Sequence, residues 1–368
     1  MGINLPSERQ MIARAPAALA EALGVPASEV TTLHRGKPSE PDIVVSVADQ
    51  TFNIECKGVV AAGAVAAYAS RIAETAKKIR RAVPLLVVPF MGQAARRASE
   101  EAHVSWLDLS GNAHIIAPGL RVIIEGRSNQ FLVQGRRKSA FAPKSARVVR
   151  FLLINPERAY TQREIARETE MTDGFVSQIV TRLEADGYVT RSATAKQLDA
   201  GESRAHPRAK APIRVRDPAL LLDAWREEYR FEAHTIMRGH IPARTGDALV
   251  RGISEKLVAE GIPYAATGLA AAWELTHFAM FRIATFFLES EPSPSVLKRL
   301  SFRDDERGAN VWLAIPNDSG VFLGARERDG VRCVHPVQAY LDLKGHPERA
   351  AEAADTLKAE YLDWKRDA

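Results

Sequence analysis

The segment Thr161–Arg191, TQREIARETEMTDGFVSQIVTRLEADGYVTR, constrains the fold more than any other stretch of this 368-residue chain. Thr161 followed by Glu164 has the form of a capping box and predicts a helix over Gln162–Glu168. A turn at Glu170-Met171-Thr172 leads into a longer helix, Asp173–Asp186, which Gly187 ends, because glycine tolerates the left-handed conformation that closes a helix. Ile165 and Ala166 put a small apolar face on the first helix. Phe175, Ile179 and Leu183, spaced by four, do the same for the second. Upstream, Ala146–Ile154 reads as another helix, apolar along Val148, Val149, Leu152 and Leu153 and ended by Asn155-Pro156. Downstream, Val189–Arg191 and Pro212–Arg216 read as two strands joined by a long polar loop.

The polar side of the longer helix suits base-pair recognition. Thr172, Asp173, Ser177, Gln178, Thr181 and Arg182 project away from the apolar stripe. Glutamine and arginine make bidentate contacts to adenine and guanine edges, whereas serine and threonine anchor phosphates. The loop Ser192–Ala211 adds Lys196, Arg204, Arg208 and Lys210, and Lys138, Lys144 and Thr161 complete the expected DNA-contacting set. Charge supports this reading. The formal net charge is only +5, yet residues 126–156 carry seven basic residues and no acid, and residues 190–216 a net +5. Such polarisation favours a polyanionic partner. The pattern, down to Leu183-Glu184-Ala185-Asp186-Gly187-Tyr188-Val189, resembles winged helix-turn-helix regulators. Winged helices also serve as protein-interaction modules; the flanking basic stretches favour DNA.

Ahead of this segment, residues to about Gly126 alternate helices and strands, which implies a mixed sheet covered by helices. The expected elements are helix Glu8–Leu23, a hairpin of Asp42–Val47 and Thr51–Lys57, helix Ala64–Arg81, strand Pro84–Pro89, helix Gln93–His103, and strands Val104–Leu109, Ala113–Ile116 and Leu120–Glu125. Strand alternation puts Glu55 and Lys57 on one face, with Asp42 at the start of the partner strand. Two carboxylates suit a hard cation such as Mg²⁺, and a lysine beside them suits phosphodiester chemistry. These residues and the α-β-β-β-α-β order resemble the PD-(D/E)xK nuclease superfamily over roughly Ala17–Glu125. That resemblance implies a restriction-endonuclease-like fold, Asp42, Glu55 and Lys57 as catalytic residues, Asp42 and Glu55 as metal ligands, and Glu21 as an additional acid.

The third block, from Asp217, is expected to be helical at Ala219–Tyr229, Thr245–Glu260 and Thr267–Thr276, then strand-rich at Leu297–Arg303, Val311–Ile315 and Val321–Ala325, with an amphipathic helix over Glu348–Lys365. Tyr264–Leu288 is the most apolar stretch, but Glu274, His277 and Arg282 interrupt it, so it reads as a buried core helix or helix pair rather than a membrane span. Tyr264–Ala272, His335–Leu343, Glu348–Leu357 and the hairpin Trp106–His114 resemble the AbiEi family of type IV toxin–antitoxin regulators. The resemblance implies an antitoxin that represses its own operon and counters a nucleotidyltransferase-like toxin. Two cysteines far apart, Cys56 and Cys333, exclude a disulfide framework and favour a cytoplasmic location.

The sequence therefore predicts a multi-domain α/β and α+β protein. Residues 1–135 form the nuclease-like α/β domain, residues 136–216 the winged helix-turn-helix, and residues 217–368 the AbiEi-like α+β domain. The leading reading is a sequence-specific regulator of double-stranded DNA that needs no cofactor for binding. Its partners are DNA, a cognate toxin and, in one arrangement, a second copy of the chain. The alternative is a Mg²⁺-dependent endonuclease delivered to its site by the winged helix.

Overall fold

The computed structural model describes residues 5–35, 41–47, 49–58, 60–79, 82–131, 139–191, 211–278 and 280–364. The chain divides into two compact units, residues 1–138 with 183–188, and residues 139–182 with 189–368.

The first unit is built on a seven-stranded sheet whose strands lie in chain order. They are β1 (Thr31–Arg35), β2 (Ile43–Val47), β3 (Gln50–Cys56), β4 (Ala82–Val88), β5 (Ser105–Asp108), β6 (Ala113–Ala117) and β7 (Leu120–Ile124). Neighbours are antiparallel except β3–β4 and β4–β5, which are parallel. A parallel pair needs a crossover, and the helices α2 (Val65–Ala76) and α3 (Gln93–Glu101) supply the two. The first helix, α1 (Glu8–Leu23), begins in a capping box made by Ser7 and Gln10. It buries Met11, Ala15 and Leu19 against Ile43, Val45, Phe52, Ile54, Leu85 and Val87. The alternate strand residues face the other way, so Asn53 meets α2, donating to the Ile72 carbonyl (3.2 Å) and the Thr75 hydroxyl (2.9 Å). Expected and observed elements agree here within a few residues, except that the helix expected over Ala64–Arg81 ends at Ala76 and that the sequence reading omits β1, an edge strand with Thr31, Thr32, Leu33 and His34 exposed.

In the second unit, α4 (Ala146–Ile154), α5 (Gln162–Glu168) and α6 (Asp173–Ala185) precede the two-stranded β8 (Val189–Arg191) and β9 (Ile213–Val215). Tyr160 adds a bridge to Ile213, with backbone hydrogen bonds of 2.9 and 2.7 Å. The chain continues through α7 (Pro218–Glu228), β10 (Thr235–His240), α8 (Gly246–Ala259), β11 (Tyr264–Thr267), α9 (Gly268–Thr276), β12 (Ala284–Leu288), α10 (Pro294–Leu300), β13 (Arg303–Asp304), β14 (Val311–Ile315), β15 (Arg326–Arg328), β16 (Val331–Cys333), α11 (Pro336–Asp342) and α12 (Ala350–Tyr361). Its strands form a mixed sheet in the order β13-β10-β14-β12-β11-β16-β15.

Several expectations for this block change. Tyr264–Leu288 is strand, helix and strand, not a helix or helix pair: β11 and β12 pair antiparallel across its length, and α9 connects them. Both strands are wholly buried, so their apolar runs lack the alternation that separates strand from core helix. Leu297–Arg303 is mostly the end of α10, which Ser293 caps and Pro294 opens. Val321 lies in a 3₁₀ turn, Ser319–Phe322, not a strand. Among the described residues no helix is long and apolar enough to cross a membrane. Cys56 and Cys333 are free and buried, and burial is the main reason each thiol is pushed up to about 12.

Candidate nucleic-acid interface

The helix-turn-helix is fixed by local devices. The Thr161 hydroxyl accepts from Glu164 N–H (3.2 Å), and the Glu164 carboxylate accepts from Thr161 N–H (2.7 Å), forming the expected box at the start of α5. Hydrogen bonds donated by the Thr161 N–H and hydroxyl hold the Glu164 carboxyl below its ordinary range. The turn to α6 takes Glu170 through the left-handed region (φ 54°). Gln162 Nε2 then ties α5 to the start of α6 by donating to the Asp173 carbonyl (2.9 Å). At the far end Gly187 (φ 79°) lets Tyr188 N–H reach back to the Leu183 carbonyl at 2.9 Å.

The buried stripe of α6 is Val176, Ile179, Val180 and Leu183. Phe175, expected in that stripe, is only half-buried, with the Lys144 ammonium 5.6 Å from its ring centroid. On the other side Thr172, Asp173, Gln178 and Thr181 are exposed, and Ser177 and Arg182 are half-buried. Thr172 also helps start the helix, accepting from Phe175 N–H at 3.4 Å. Lys144 and Thr161 are exposed as well, although the Thr161 hydroxyl is engaged as a cap. Lys138, Lys196, Arg204, Arg208 and Lys210 lie outside the described residues.

Two arginines from the basic stretch 126–156 have a different task, which its composition does not reveal. Arg147 Nε donates to Asp318 (2.6 Å) and Nη2 to the Ser319 hydroxyl (3.0 Å), while Nη1 reaches the Thr169 carbonyl at the helix-turn-helix turn (3.4 Å). The hydrogen bond to Asp318 raises its already high pKa. Arg150 is 3% exposed, lies 5.0 Å from the Trp225 ring centroid, and donates through Nε and Nη2 to Gln338 Oε1 (3.0 and 2.6 Å). Gln338 passes the connection to the Tyr229 hydroxyl (3.0 Å) and to Asp342 (2.8 Å), and Thr267 donates to Asp342 at 2.5 Å. Burial pushes the Asp342 carboxyl up to about 7 despite these donors. Gly320 is needed for the fit, because a Cβ there would stand 2.6 Å from Arg147 Cγ and 2.9 Å from Arg150 Nη1. The helix-turn-helix is thus clamped to the C-terminal block by side chains whose positive charge, in the sequence, reads as part of a polyanion-facing patch.

The hairpin residues of the first unit also come together. Lys57 Nζ lies 2.8 Å from Glu8 and 2.9 Å from Glu55, and Arg71 of α2 pairs with the same Glu55 oxygen. Asp42 Oδ2 accepts from Cys56 N–H at 2.7 Å. Glu55 is 6% exposed. One carboxylate thus accepts from backbone, and the other faces two cationic side chains. Among the described residues no group of three or more His, Cys, Asp or Glu side chains is placed to hold a metal ion.

Comparison with known families agrees with this geometry. Residues 142–197 match the MarR family, and residues 214–363 match the family described as transcriptional regulator, AbiEi antitoxin, type IV toxin–antitoxin system. No curated protein and no solved structure matches the chain. The class is therefore that of proteins with a winged helix-turn-helix. More narrowly, a segment that matches the MarR family is followed by one that matches the AbiEi antitoxin family.

Proposed function

We propose that the chain is a sequence-specific double-stranded-DNA-binding transcriptional regulator, acting as an AbiEi-like antitoxin that represses its own operon and counters a nucleotidyltransferase-like toxin. The observation that carries this reading is the exposed polar face of α6, Thr172, Gln178 and Thr181, in a MarR-family segment directly followed by an AbiEi-type domain. Gln178 and Arg182 are the base-reading residues of this proposal, and Lys144 and the basic residues of 192–211 neutralise phosphates. The metal-dependent nuclease reading has weaker support, since the carboxylates it needs are committed to Cys56, Lys57 and Arg71. One experiment addresses both. Labelled DNA from upstream of the gene is incubated with the protein, with and without Mg²⁺, and resolved under native and denaturing conditions. A retained, uncut complex is the expected result; strand cleavage that depends on Mg²⁺ and on Glu55 would replace the regulator by the endonuclease.

A further inference from the structure

The sheet of the first unit ends in β1 on one side and β7 on the other, and the two edges are finished differently. The pairing of β1 is broken by a register irregularity between Thr32 and His34, and a bulge of that kind discourages a further strand. β7 pairs with β6 without a break, from Leu120 opposite Ala117 to Ile124 opposite Ala113. Among the described residues no strand lies beyond it. A regular open edge is a template for another strand.

The direction of the free backbone groups on β7 follows from its neighbour. The Ser105 hydroxyl accepts from Ile116 N–H (3.0 Å) and donates to the Ile116 carbonyl (3.2 Å), so both groups of Ile116 point toward β5. In an antiparallel pair, facing residues turn their backbone groups either toward each other or both away. Arg121, which faces Ile116, therefore turns its N–H and carbonyl to the open side, and so does Ile123 two residues on. Arg121, Ile123 and Glu125 are exposed, and Ile116 and Ile123 keep 54% and 50% of their surface in solvent on one face. On the other face Leu120, Val122 and Ile124 are only partly buried, at the rim of the core under α1. Among the described residues neither Arg121 nor Glu125 is in an ion pair.

The order Arg121-Val122-Ile123-Ile124-Glu125 is complementary to itself when run antiparallel. A two-fold axis through Ile123 sets Ile123 against its own counterpart, Val122 against Ile124, and Arg121 against Glu125, with the last pair occurring twice. An axis at Val122 would face Arg121 with Ile123, one at Ile124 would face Ile123 with Glu125, and one at Arg121 would bring two guanidinium groups together. We propose that the first unit pairs with a second copy of this chain, β7 against β7 in antiparallel register about Ile123, to form one continuous sheet. The outward backbone groups of Arg121 and Ile123 supply its hydrogen bonds, the two Ile123 side chains cover one another, and Val122 and Ile124 do the same on the α1 side. This pairing does not rest on the DNA-binding reading, because the residues of α6 take no part in it.

Self-association of the full chain is read by sedimentation velocity over a concentration series, and a reversible dimer is expected. Arg121→Glu brings two acids together at both ends of the paired segment and should weaken the dimer at least tenfold. Adding Glu125→Arg reverses both pairs and should restore it. Both positions are exposed, so these variants should keep the parent's melting temperature. Cross-linking separates this pairing from association through any other surface. Facing hydrogen-bonded residues have Cα atoms about 5.5 Å apart, within disulfide reach, so Ile123→Cys should form a covalent dimer under mild oxidation. Ile116→Cys, one strand further in, should not. Cys56 and Cys333 are buried and do not compete. A chain that is monomeric at every concentration, a dimer unaffected by Arg121→Glu, no recovery in the charge-reversed double variant, or Ile123→Cys cross-linking no faster than Ile116→Cys would each overturn the proposal.

Discussion

The outer face of α6 and the Asp42–Lys57 hairpin are both dense in polar side chains, but they spend them differently. On α6, Gln178 and Thr181 stand exposed on a helix held by its buried stripe and by the Arg147 clamp at its entry. In the hairpin each charged group already has its counterpart: Asp42 the Cys56 amide, Glu55 both Lys57 and Arg71, and Lys57 also Glu8. A surface that recognises a partner must hold hydrogen-bonding capacity in reserve, and the exposed Gln178 and Thr181 offer more of it than the mutually paired hairpin groups. Residue type alone does not separate these cases; the distances do.

The contrast breaks most readily on α6. Gln178→Ala combined with Arg182→Ala should cost about 1–3 kcal/mol of specific DNA binding for each base that is no longer read, with nonspecific binding and its salt dependence little changed. Lys144→Ala should instead weaken binding to every sequence and flatten the salt slope. A double variant that held its operator at full affinity in a mobility-shift titration would remove α6 from the interface.

Acid sharpens the comparison by acting on the second unit. Burial depresses His234 to about 4, so the folded protein keeps it neutral while an unfolded chain protonates it near 6.5. Its stabilising contribution is present above pH 6.5 and is lost as pH falls toward 4. Asp342, raised to about 7, acts in the opposite sense and loses its contribution as pH rises through that value. His234→Asn should therefore reduce the loss of unfolding free energy between pH 6.5 and 4 by up to about 3 kcal/mol. Denaturant titrations at several pH values measure it; identical pH profiles for the variant and the parent chain would refute it.

Two smaller effects follow. Glu55→Ala leaves Lys57 and Arg71 facing each other without their shared acid, and should lower stability by about 1–3 kcal/mol while DNA affinity is unchanged. A loss of DNA binding in that folded variant would mean the hairpin does more than hold itself together. Thr161→Ala removes the α5 cap and should cost about 1 kcal/mol in thermal or denaturant unfolding.

Much of this was legible in the sequence where local chemistry decides structure. The Thr161 cap and the Gly187 stop placed α5 and α6, and the apolar runs of β2 and β3 placed the hairpin, within a residue or two. Edge strands such as β1 escaped because their exposed side chains give no apolar rhythm, and β10 because Met237 and Gly239 blur it. Buried strands failed for the opposite reason, as Tyr264–Thr267 and Ala284–Leu288 are apolar on both faces. Charge counting found the basic stretch but not its directions: Arg147 and Arg150 turn inward on a helix also buried at Val148, Val149, Leu152 and Leu153.

That inward turn limits how such chains can be recombined. A winged helix that hung from a bare linker could be exchanged between proteins, taking its operator preference to a new host. Here the donor sequence would have to carry arginines matching positions 147 and 150, and the recipient an aspartate, a glutamine and a glycine matching Asp318, Gln338 and Gly320. Mismatched chimeras would leave a guanidinium buried against an unsuitable surface, so the reading head and the block behind it are constrained to be inherited as a pair.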